Sequence, residues 1–545
     1  MVQSSVRGEG TRARDRSAAG AGGSHSGGAT PEGGDAGGGR RGRSPRRRGR
    51  QHGILRWSAA TLAVLILGAA GTGYLYYQHL NGNIRKGERT SGDSKAEKAK
   101  PNAAGQTPLN ILLIGSDSRN STENVKLGGS RDQVGSKPLG DVQMLIHLSA
   151  DRKSAAVVSI PRDTRVDIPK CTDPETDETF PATNNIINSS LGRGGAGCTL
   201  ATWQNLTGVY IDHWMTIDFA GVVKMADAIG GVEVCVEHKM WDRPLPGTPG
   251  GSGLRLDAGK QKVKGKQALQ WLRTRHAFYS DLGRAKAQHM YMNSMVRTLK
   301  DQNVFTDGGR LMGLAEAATK SLKVSEELGS VKELYDLGMQ LKTVPANRIT
   351  STTIPTVVDQ QNANHLVPAG ADAEKMWTMI RDDIPFDKGG DPKKKPAAEK
   401  ASKDPAAADD EIGVMVRNGT RSATLGPVGG RANAITQLLA QQGFTKAAAD
   451  QSAAVAEDKT VIRFPSAELE GDAQRVAKSL GIPLSSVKKS TDVTGVTLVV
   501  GADWRTGTAY PKQSAPKAGE LPKDADAVSG SDSDACMPVY EPYRL

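Results

Sequence analysis

One uncharged stretch near the amino terminus, residues 57–77, constrains the fold more than any other feature of this chain. Its sequence, WSAATLAVLILGAAGTGYLYY, has the length that a helix needs to cross a bilayer about 30 Å thick. Arginines up to Arg56 precede it, and tryptophan and tyrosine lie near its two ends, where interfacial anchors are found. We therefore predict one transmembrane helix over residues 54–79. A cleaved signal peptide is the competing interpretation, but the leader before this stretch is too long for one.

The charge distribution predicts which side of the membrane each part occupies. The formal net charge is +12, and residues 1–56 hold twelve arginines against four acidic residues, so most of the excess lies in this tail. The positive-inside rule then places the amino terminus in the cytoplasm and the bulk of the chain outside, as a single-pass protein of the cell membrane. Residues 1–53 are rich in Gly, Ser and Arg and are predicted to be disordered. Because the remainder carries no nucleic-acid-reading motif, we predict no nucleic-acid partner.

Two α/β domains are predicted after a polar spacer over residues 80–106. Short apolar runs alternate with helical stretches over residues 107–385, which favours a layered α/β/α domain with a mixed sheet. Residues 386–410 have the Lys, Pro and Ala composition of a linker. Residues 411–503 repeat the strand and helix pattern as a second, small α/β domain, and residues 504–545 are predicted to be a disordered tail.

All four cysteines lie beyond the predicted membrane helix, where an oxidising compartment permits disulfides. Cys171 and Cys198 flank a polar, Gly-rich stretch and are the predicted bridge. Cys235 lies in a strand pattern and is interpreted as a buried thiol. The sequence does not determine how Cys235 and Cys536 pair.

Charged side chains follow several of the apolar runs in the first domain. If those runs are neighbouring strands and a helix, their charged ends meet at one pole. Guanidinium groups match phosphate oxygens, and carboxylates hold Mg²⁺ while substrate phosphates complete its shell, so such a pole suits a polyphosphate with a divalent metal. The residues are Asp117, Arg119, Asp141, Arg162, Asp163, Arg273, Arg275, Arg284 and Gln288.

An ordered string of motifs accompanies these charges over about residues 107–300. The motifs are Leu113–Arg119, Ser159–Thr164, Asn184–Asn188, Leu206–Gly208, Ile211–His213, Ile217–Phe219, Ile229–Val232, Trp271–Arg275 and Asp281–Arg284. The string resembles the LytR-CpsA-Psr family of cell-wall glycopolymer ligases. Residues 411–503 are similar to the small LytR C-terminal domain that often follows in actinobacterial members.

The resemblance implies a phosphotransferase that moves a glycopolymer, such as teichoic acid or arabinogalactan, from a polyprenyl-pyrophosphate carrier to peptidoglycan. It implies that Asp117 and Asp141 are metal-side carboxylates for Mg²⁺, with Mn²⁺ as an alternative, and that either accepts the proton of the acceptor hydroxyl. Arg162 is implied as catalytic, and the remaining residues are implied to bind the pyrophosphate: Arg119, Arg162, Asp163, Arg273, Arg275, Arg284 and Gln288. The implied partners are the lipid-linked glycopolymer, peptidoglycan and the membrane.

One position departs from the family pattern. Leu139 occupies a slot in which the family usually has an arginine, and Arg131 or Lys137 in the same loop are the candidate replacements. The rival functions are a pyrophosphatase that acts without an acceptor, and a non-catalytic wall-binding scaffold or regulator.

Overall fold

The chain divides into two compact units, residues 1–70 and 71–545. Helix α1 (Gly49–Asn83) begins in the first and ends in the second. The computed structural model describes residues 56–94, 96–102, 104–116, 137–301, 307–389, 402, 404–421, 426–457, 459–511 and 516–545, with the backbone alone of residues 49–55.

Within α1, the part from Arg56 to Asn83 is long and apolar enough to cross a membrane, and it is the one such helix among the described residues. Its apolar side chains, such as Leu62 and Leu67, are exposed over the middle of the helix. An exposed apolar surface of this extent marks a site of contact with a membrane or with another protein. Near the carboxyl end of the helix the burial changes, since Leu80 and the following Ile84 are buried.

A mixed eight-stranded sheet forms the centre of the second unit. The sheet is mixed because its central strands pair in both directions. Strand β2 runs antiparallel to β3 and parallel to β9, and β3 runs antiparallel to β4. The strands in spatial order are β1 (Arg85–Gly87), β14 (Leu322–Ser325), β9 (His213–Ile217), β2 (Leu109–Ser116), β3 (Gly140–Leu148), β4 (Ala155–Ser159), β15 (Ile349–Thr353) and β23 (Val528–Ser529).

Helices cover both faces of this sheet, as the predicted layered fold requires. On one face, Trp203 of α2 (Leu191–Thr207) and Trp377 of α8 (Gly370–Arg381) pack against Leu145 and other inward residues of the central strands. On the other face, the sheet packs against α5 (Asp281–Asp301) and α7 (Val331–Thr343).

Shorter elements surround the sheet. The helices are α3 (Phe219–Ala228), α4 (Gly265–Arg273) and α6 (Gly308–Ser321). The strands form antiparallel pairs: β5 (Arg165–Ile168) with β8 (Thr183–Ile186), β6 (Cys171–Thr172) with β7 (Thr179–Phe180), β10 (Val232–Val236) with β13 (Gly259–Val263), β11 (Met240–Trp241) with β12 (Arg255–Leu256), and β16 (Thr356–Val358) with β17 (Leu366–Pro368).

The small domain contains a five-stranded sheet and two helices around its own core, which includes Leu439, Phe444 and Trp504. The helices are α9 (Arg431–Gln441) and α10 (Glu470–Leu480). The strands in spatial order are β19 (Ala448–Ala449), β18 (Val414–Asn418), β22 (Val496–Val500), β20 (Val461–Phe464) and β21 (Val487–Lys489).

Two segments outside the predicted domains also belong to the fold. Part of the polar spacer predicted over residues 80–106 is ordered, because β1 pairs with β14 at the edge of the main sheet. In the predicted disordered tail, β23 pairs with β15, and Met537, Val539 and Tyr543 are buried. The prediction of disorder is therefore wrong for these tail residues, whose few apolar side chains pack against distant segments.

The two disulfides explain part of this order. Cys171 and Cys198, the predicted pair, are bonded with a Cα–Cα distance of 5.7 Å. Cys235 is bonded to Cys536, so its interpretation as a buried thiol is wrong. This second bridge ties the end of the chain to β10, which lies 301 residues earlier.

Candidate functional site

A cavity of about 320 Å³ opens where the main sheet ends, and most of the predicted site residues line it. The end of β2, the start of β3 and the end of β9 meet at this edge because β2 is parallel to β9 and antiparallel to β3. The charged or polar residues that line the cavity are Ser116, Asp141, Arg162, Asp218, Asp242, Ser252, Arg273, Arg275, His276, Arg284 and Gln288. The predicted convergence of these distant charges is therefore present in the structure.

Arg162 lies at the centre of the charged wall, just beyond β4. Its Nη1 donates to Asp141 Oδ1 at 3.1 Å and its Nε donates to Asp163 Oδ2 at 3.3 Å. Burial works to lower the pKa of Arg162, but the two carboxylates outweigh it and the pKa is raised. Asp163 does not line the cavity, and it would act on a bound ligand only through Arg162, which it contacts.

Arg284 adds a second, more deeply buried guanidinium from the first turn of α5. It is held by Asp281 at 2.6 Å, one helical turn earlier. Its pKa is lowered, first by burial and then by the neighbouring positive charges of Arg162 and Arg275, although Asp281 opposes the change. Like charges that lie this close favour an anion between them.

Arg273 and Arg275 reach the cavity from the end of α4 and the turn that follows it. The Arg273 guanidinium lies 4.9 Å from the centre of the Phe219 ring, a cation–π contact. Arg275 Nε donates to Nε2 of His276 at 3.3 Å. Thr274, which caps α4 and has β conformation, separates the two arginines, and both side chains line the cavity.

Gln288 lies in the wall one turn after Arg284, as its spacing predicts. Its Nε2 donates to the carbonyl oxygen of Leu272 at 2.9 Å, so the amide fastens α5 to α4. The hydrogen bond from Gln288 to a pyrophosphate stays a prediction. The next residue, His289, lies beneath the cavity and its Nε2 is 2.8 Å from Ser159 Oγ at the end of β4.

Two acidic residues in the lining were not among the predicted site residues. Asp218 Oδ1 accepts a hydrogen bond from Gly221 N at 2.8 Å and caps α3. Asp242 Oδ2 accepts one from Ser252 N at 2.7 Å, while its buried Oδ1 has no hydrogen-bond partner among the described residues. Asp218 carries the signal of a helix cap before an apolar run, whereas no local pattern distinguishes Asp242.

Apolar side chains line the cavity as well. They include Phe219 and Val222 from α3 and Leu269 and Leu272 from α4. Phe219 lies directly beside the Arg273 guanidinium, so charged and apolar groups are neighbours in the lining. A cavity of this volume lies at the lower end of the range of about 300–1,000 Å³ that is typical of small-ligand sites. It therefore suits a small ligand that has both charged and apolar parts.

The loop before β3 contributes less than the sequence suggests. Lys137, one of the two candidates to replace the family's arginine, pairs with Glu178 at 2.8 Å and lies 4.0 Å from the Phe180 ring centre, outside the cavity. Lys137 is therefore not the replacement. Leu139 is partly exposed. The other predicted residues of this region, Asp117, Arg119 and Arg131, lie outside the described residues.

The donor set suits a metal that the substrate helps to hold. In the described part of the chain, no group of three or more His, Cys, Asp or Glu side chains could hold a metal ion alone. Mg²⁺ is commonly held by one or two carboxylates together with substrate phosphates and water. Asp141, which lines the cavity beside Arg162, fits that mode of binding.

Comparison with known proteins matches both domains. The model of the LytR_cpsA_psr family matches residues 74–382. The model described as LytR cell envelope-related transcriptional attenuator matches residues 411–504.

Among curated proteins, the cell wall biosynthesis protein LcpA of Corynebacterium glutamicum is 29% identical over 330 residues, which cover 56% of this chain and 60% of LcpA. The chain thus spans well under two thirds of that relative. The polyisoprenyl-teichoic acid–peptidoglycan teichoic acid transferase TagU of Bacillus anthracis is 24% identical over 52% of this chain and 83% of TagU. A solved LytR-Csp2A-Psr enzyme from Actinomyces oris aligns with a TM-score of 0.39 and 16% identity, over 55% of this chain and 95% of that one.

Proposed function

Because the chain belongs to the LytR-CpsA-Psr family, we propose that it transfers a glycopolymer from a polyprenyl-pyrophosphate carrier to peptidoglycan through a phosphodiester link. The observation that supports this most directly is the cavity itself. Arg162, Arg273, Arg275 and Arg284 line it together with apolar side chains from α3 and α4. A pyrophosphate with a hydrocarbon tail has both of these properties in one molecule.

The four arginines bind and orient the pyrophosphate in this proposal. Their guanidinium groups donate to its oxygens and stabilise the negative charge that spreads over the transferred phosphoryl group. The first isoprenyl units lie along the apolar side chains of α3 and α4 that line the cavity. Asp163 and Asp281 hold Arg162 and Arg284 in place before the donor arrives.

Transfer then exchanges a phosphoanhydride bond for a phosphoester bond. A hydroxyl oxygen of peptidoglycan attacks the phosphorus that carries the sugar, the bond from that phosphorus to the bridging oxygen breaks, and polyprenyl phosphate leaves. The hydroxyl proton passes to a carboxylate at the cavity mouth, for which Asp141 and Asp117 are the candidates. Asp141, with Asp117, would also hold Mg²⁺ or Mn²⁺, which would neutralise part of the phosphate charge.

The location of the protein follows from the same proposal. Residues 56–83 would anchor it in the cell membrane, with the amino terminus in the cytoplasm and both α/β domains on the outer side, where peptidoglycan lies. The burial of Leu80 and Ile84 against the catalytic domain leaves little free chain between the anchor and the main sheet.

A reconstitution experiment tests the proposed function. The full-length protein in detergent micelles is incubated with a polyprenyl-pyrophosphoryl oligosaccharide, Mg²⁺ and peptidoglycan fragments, and the products are separated by mass spectrometry. We expect a sugar–phosphate–peptidoglycan product together with polyprenyl phosphate. Release of polyprenyl phosphate without a linked product indicates a pyrophosphatase, and binding without turnover indicates a scaffold.

A further inference from the structure

The last ten residues of the chain, Cys536–Leu545, pack against β10 and against the turn of residues 274–280 beside the cavity. Besides the Cys235–Cys536 disulfide, Met537 N donates to Cys235 O at 2.9 Å, and Tyr540 N donates to Ala277 O at 2.9 Å. Ala277 belongs to the turn of residues 274–280, which also carries Arg275 into the cavity. The end of the chain is therefore fastened to the turn that holds one of the phosphate-binding arginines.

That turn has an unusual backbone conformation at Tyr279. Its φ is +70°, a left-handed value that a bulky non-glycine residue rarely adopts and that costs about 1–3 kcal/mol. Phe278 is buried beneath it, whereas the Tyr279 side chain is 55% exposed. Strain that leaves a large aromatic side chain in water gives nothing to the core, and such strain is concentrated at functional sites.

Tyr540 completes an exposed aromatic pair with Tyr279. The two ring centres are 5.1 Å apart with planes tilted by 46°, and Tyr540 is 44% exposed. Behind them, Tyr540 contacts the buried Tyr543 ring, and Tyr543 stacks on His276, which lines the cavity. A continuous run of rings thus leads from the cavity wall to the surface.

We propose that Tyr279 and Tyr540 form a stacking subsite for the sugar ring that is bonded directly to the donor's pyrophosphate, an inference that rests on the function proposed above. The C–H faces of a sugar ring pack on aromatic faces, and the tyrosine hydroxyls suit its polar edge. Arg275, which lines the cavity, belongs to the same turn as Tyr279, and Phe278 N donates to Arg275 O at 3.2 Å within it. If Arg275 binds the pyrophosphate, as the proposed function has it, the sugar attached to that pyrophosphate lies within reach of this turn.

The test compares binding of two lipids to the full-length protein in detergent micelles. One is a polyprenyl pyrophosphate that carries an oligosaccharide, and the other is the same lipid pyrophosphate without sugar. We expect Tyr540→Ala, and separately Tyr279→Gly, to weaken binding of the sugar-bearing lipid about tenfold and to leave binding of the sugar-free lipid unchanged. Tyr540→Phe should bind nearly as well as wild type. Tyr335→Ala, which removes a comparably exposed tyrosine from α7, serves as the control.

Three other outcomes overturn the proposal. Equal loss for both lipids would mean that the rings only position Arg275 or contact the lipid. A change confined to the KM for peptidoglycan, measured in the transfer assay, would place the acceptor sugar at the pair instead. If wild type binds neither lipid, the proposed function and the subsite both fail. If wild type binds the sugar-bearing lipid without transfer, only the proposed function fails, and the sugar selectivity of the variants still decides the subsite. Thermal unfolding of each variant shows whether the fold is intact.

Discussion

The large α/β domain, which contains the cavity, and the small domain use arginine in different ways. In the small domain, Arg475 forms a two-pronged ion pair with Asp409 at 2.6 and 2.7 Å, and Arg431 donates to three backbone carbonyl oxygens, the shortest at 2.8 Å. At the cavity, Arg162 is held by two single contacts of 3.1 and 3.3 Å and Arg284 by one carboxylate.

The comparison shows how a binding arginine differs from a structural one. A guanidinium that is held by a fork of contacts or by several carbonyl oxygens has fewer donors left for a ligand. The guanidiniums that converge on the cavity, where Arg162 and Arg284 make only a single contact with each carboxylate, can reorient toward phosphate oxygens. The predictions below test this distinction, from the largest expected effect to the smallest.

The largest effect is expected for Arg162→Ala. Loss of this central guanidinium should reduce the rate of glycopolymer transfer by about a hundredfold to a thousandfold, because it stabilises charge on the transferred phosphoryl group. The fold should remain intact, since the side chain is partly exposed. Transfer assays and thermal unfolding of the same preparation check both expectations. Wild-type turnover would remove Arg162 from the site.

Arg431→Ala should show the reverse pattern. The variant loses three charged hydrogen bonds to carbonyl groups and the contact with the Trp504 ring, so the small domain should lose about 2–4 kcal/mol of stability. Transfer measured at a temperature where the variant is folded should be unchanged. Hydrogen exchange of α9 in increasing urea measures the loss, and Arg431→Lys should recover only part of it because lysine lacks the planar fork. A fall in transfer rate without loss of protection would contradict the structural role.

The stability of the two domains should also respond differently to acid. Burial lowers the pKa of His289 to about 4, with a small opposing effect of Asp526. Since the unfolded chain takes up this proton near pH 6.5, the stabilisation is complete above that pH and is lost as the pH falls toward 4. The loss is about 2 kcal/mol at pH 5. The small domain, residues 411–503, contains no histidine and lacks this contribution.

Urea unfolding of wild type and of His289→Gln between pH 4 and pH 7.5 measures this contribution. Between pH 4 and about pH 7, the difference in stability between the two proteins should change with pH. Above about pH 7 it should be constant. A difference that does not depend on pH would show that His289 is not buried in its neutral form.

The smallest effect is expected for Arg475→Ala. The ion pair of Arg475 with Asp409 lies at the surface, where water and salt screen it. We expect neither the urea midpoint nor the transfer rate to change measurably. A transfer defect in this variant would show that the small domain takes part in catalysis, and the distinction between the two sets of arginines would fail.

Much of the candidate site was predictable because it lies at the ends of strong apolar runs. Asp141 begins β3 and Arg162 follows β4, so the pairing of these strands brings them together. Asp242 and Tyr279 were missed because neither lies in a periodic pattern. Their importance comes from neighbours that are distant in the chain, Ser252 in one case and Tyr540 in the other.

The end of the chain shows the same limit more strongly. Its Pro, Lys, Asp and Ser composition is typical of a disordered tail, and Met537, Val539 and Tyr543 are too few to indicate a core. They are buried because β10 and the turn of residues 274–280 offer a surface for them, and the Cys235–Cys536 bond holds the segment there. Nothing in the local sequence encodes that surface.

By itself, the sequence determined the long apolar helix near the amino terminus, the order of strands and helices, the family resemblance and most of the charges at the strand ends. These properties depend on residues close together in the chain, which hydrophobic periodicity and motif spacing record directly. Only the tertiary structure decided which arginines are held by protein acceptors and which face the cavity, and that the chain's last residues pack against the turn that carries Arg275. Those outcomes depend on contacts between segments hundreds of residues apart, since burial and hydrogen bonding act through space and not along the chain.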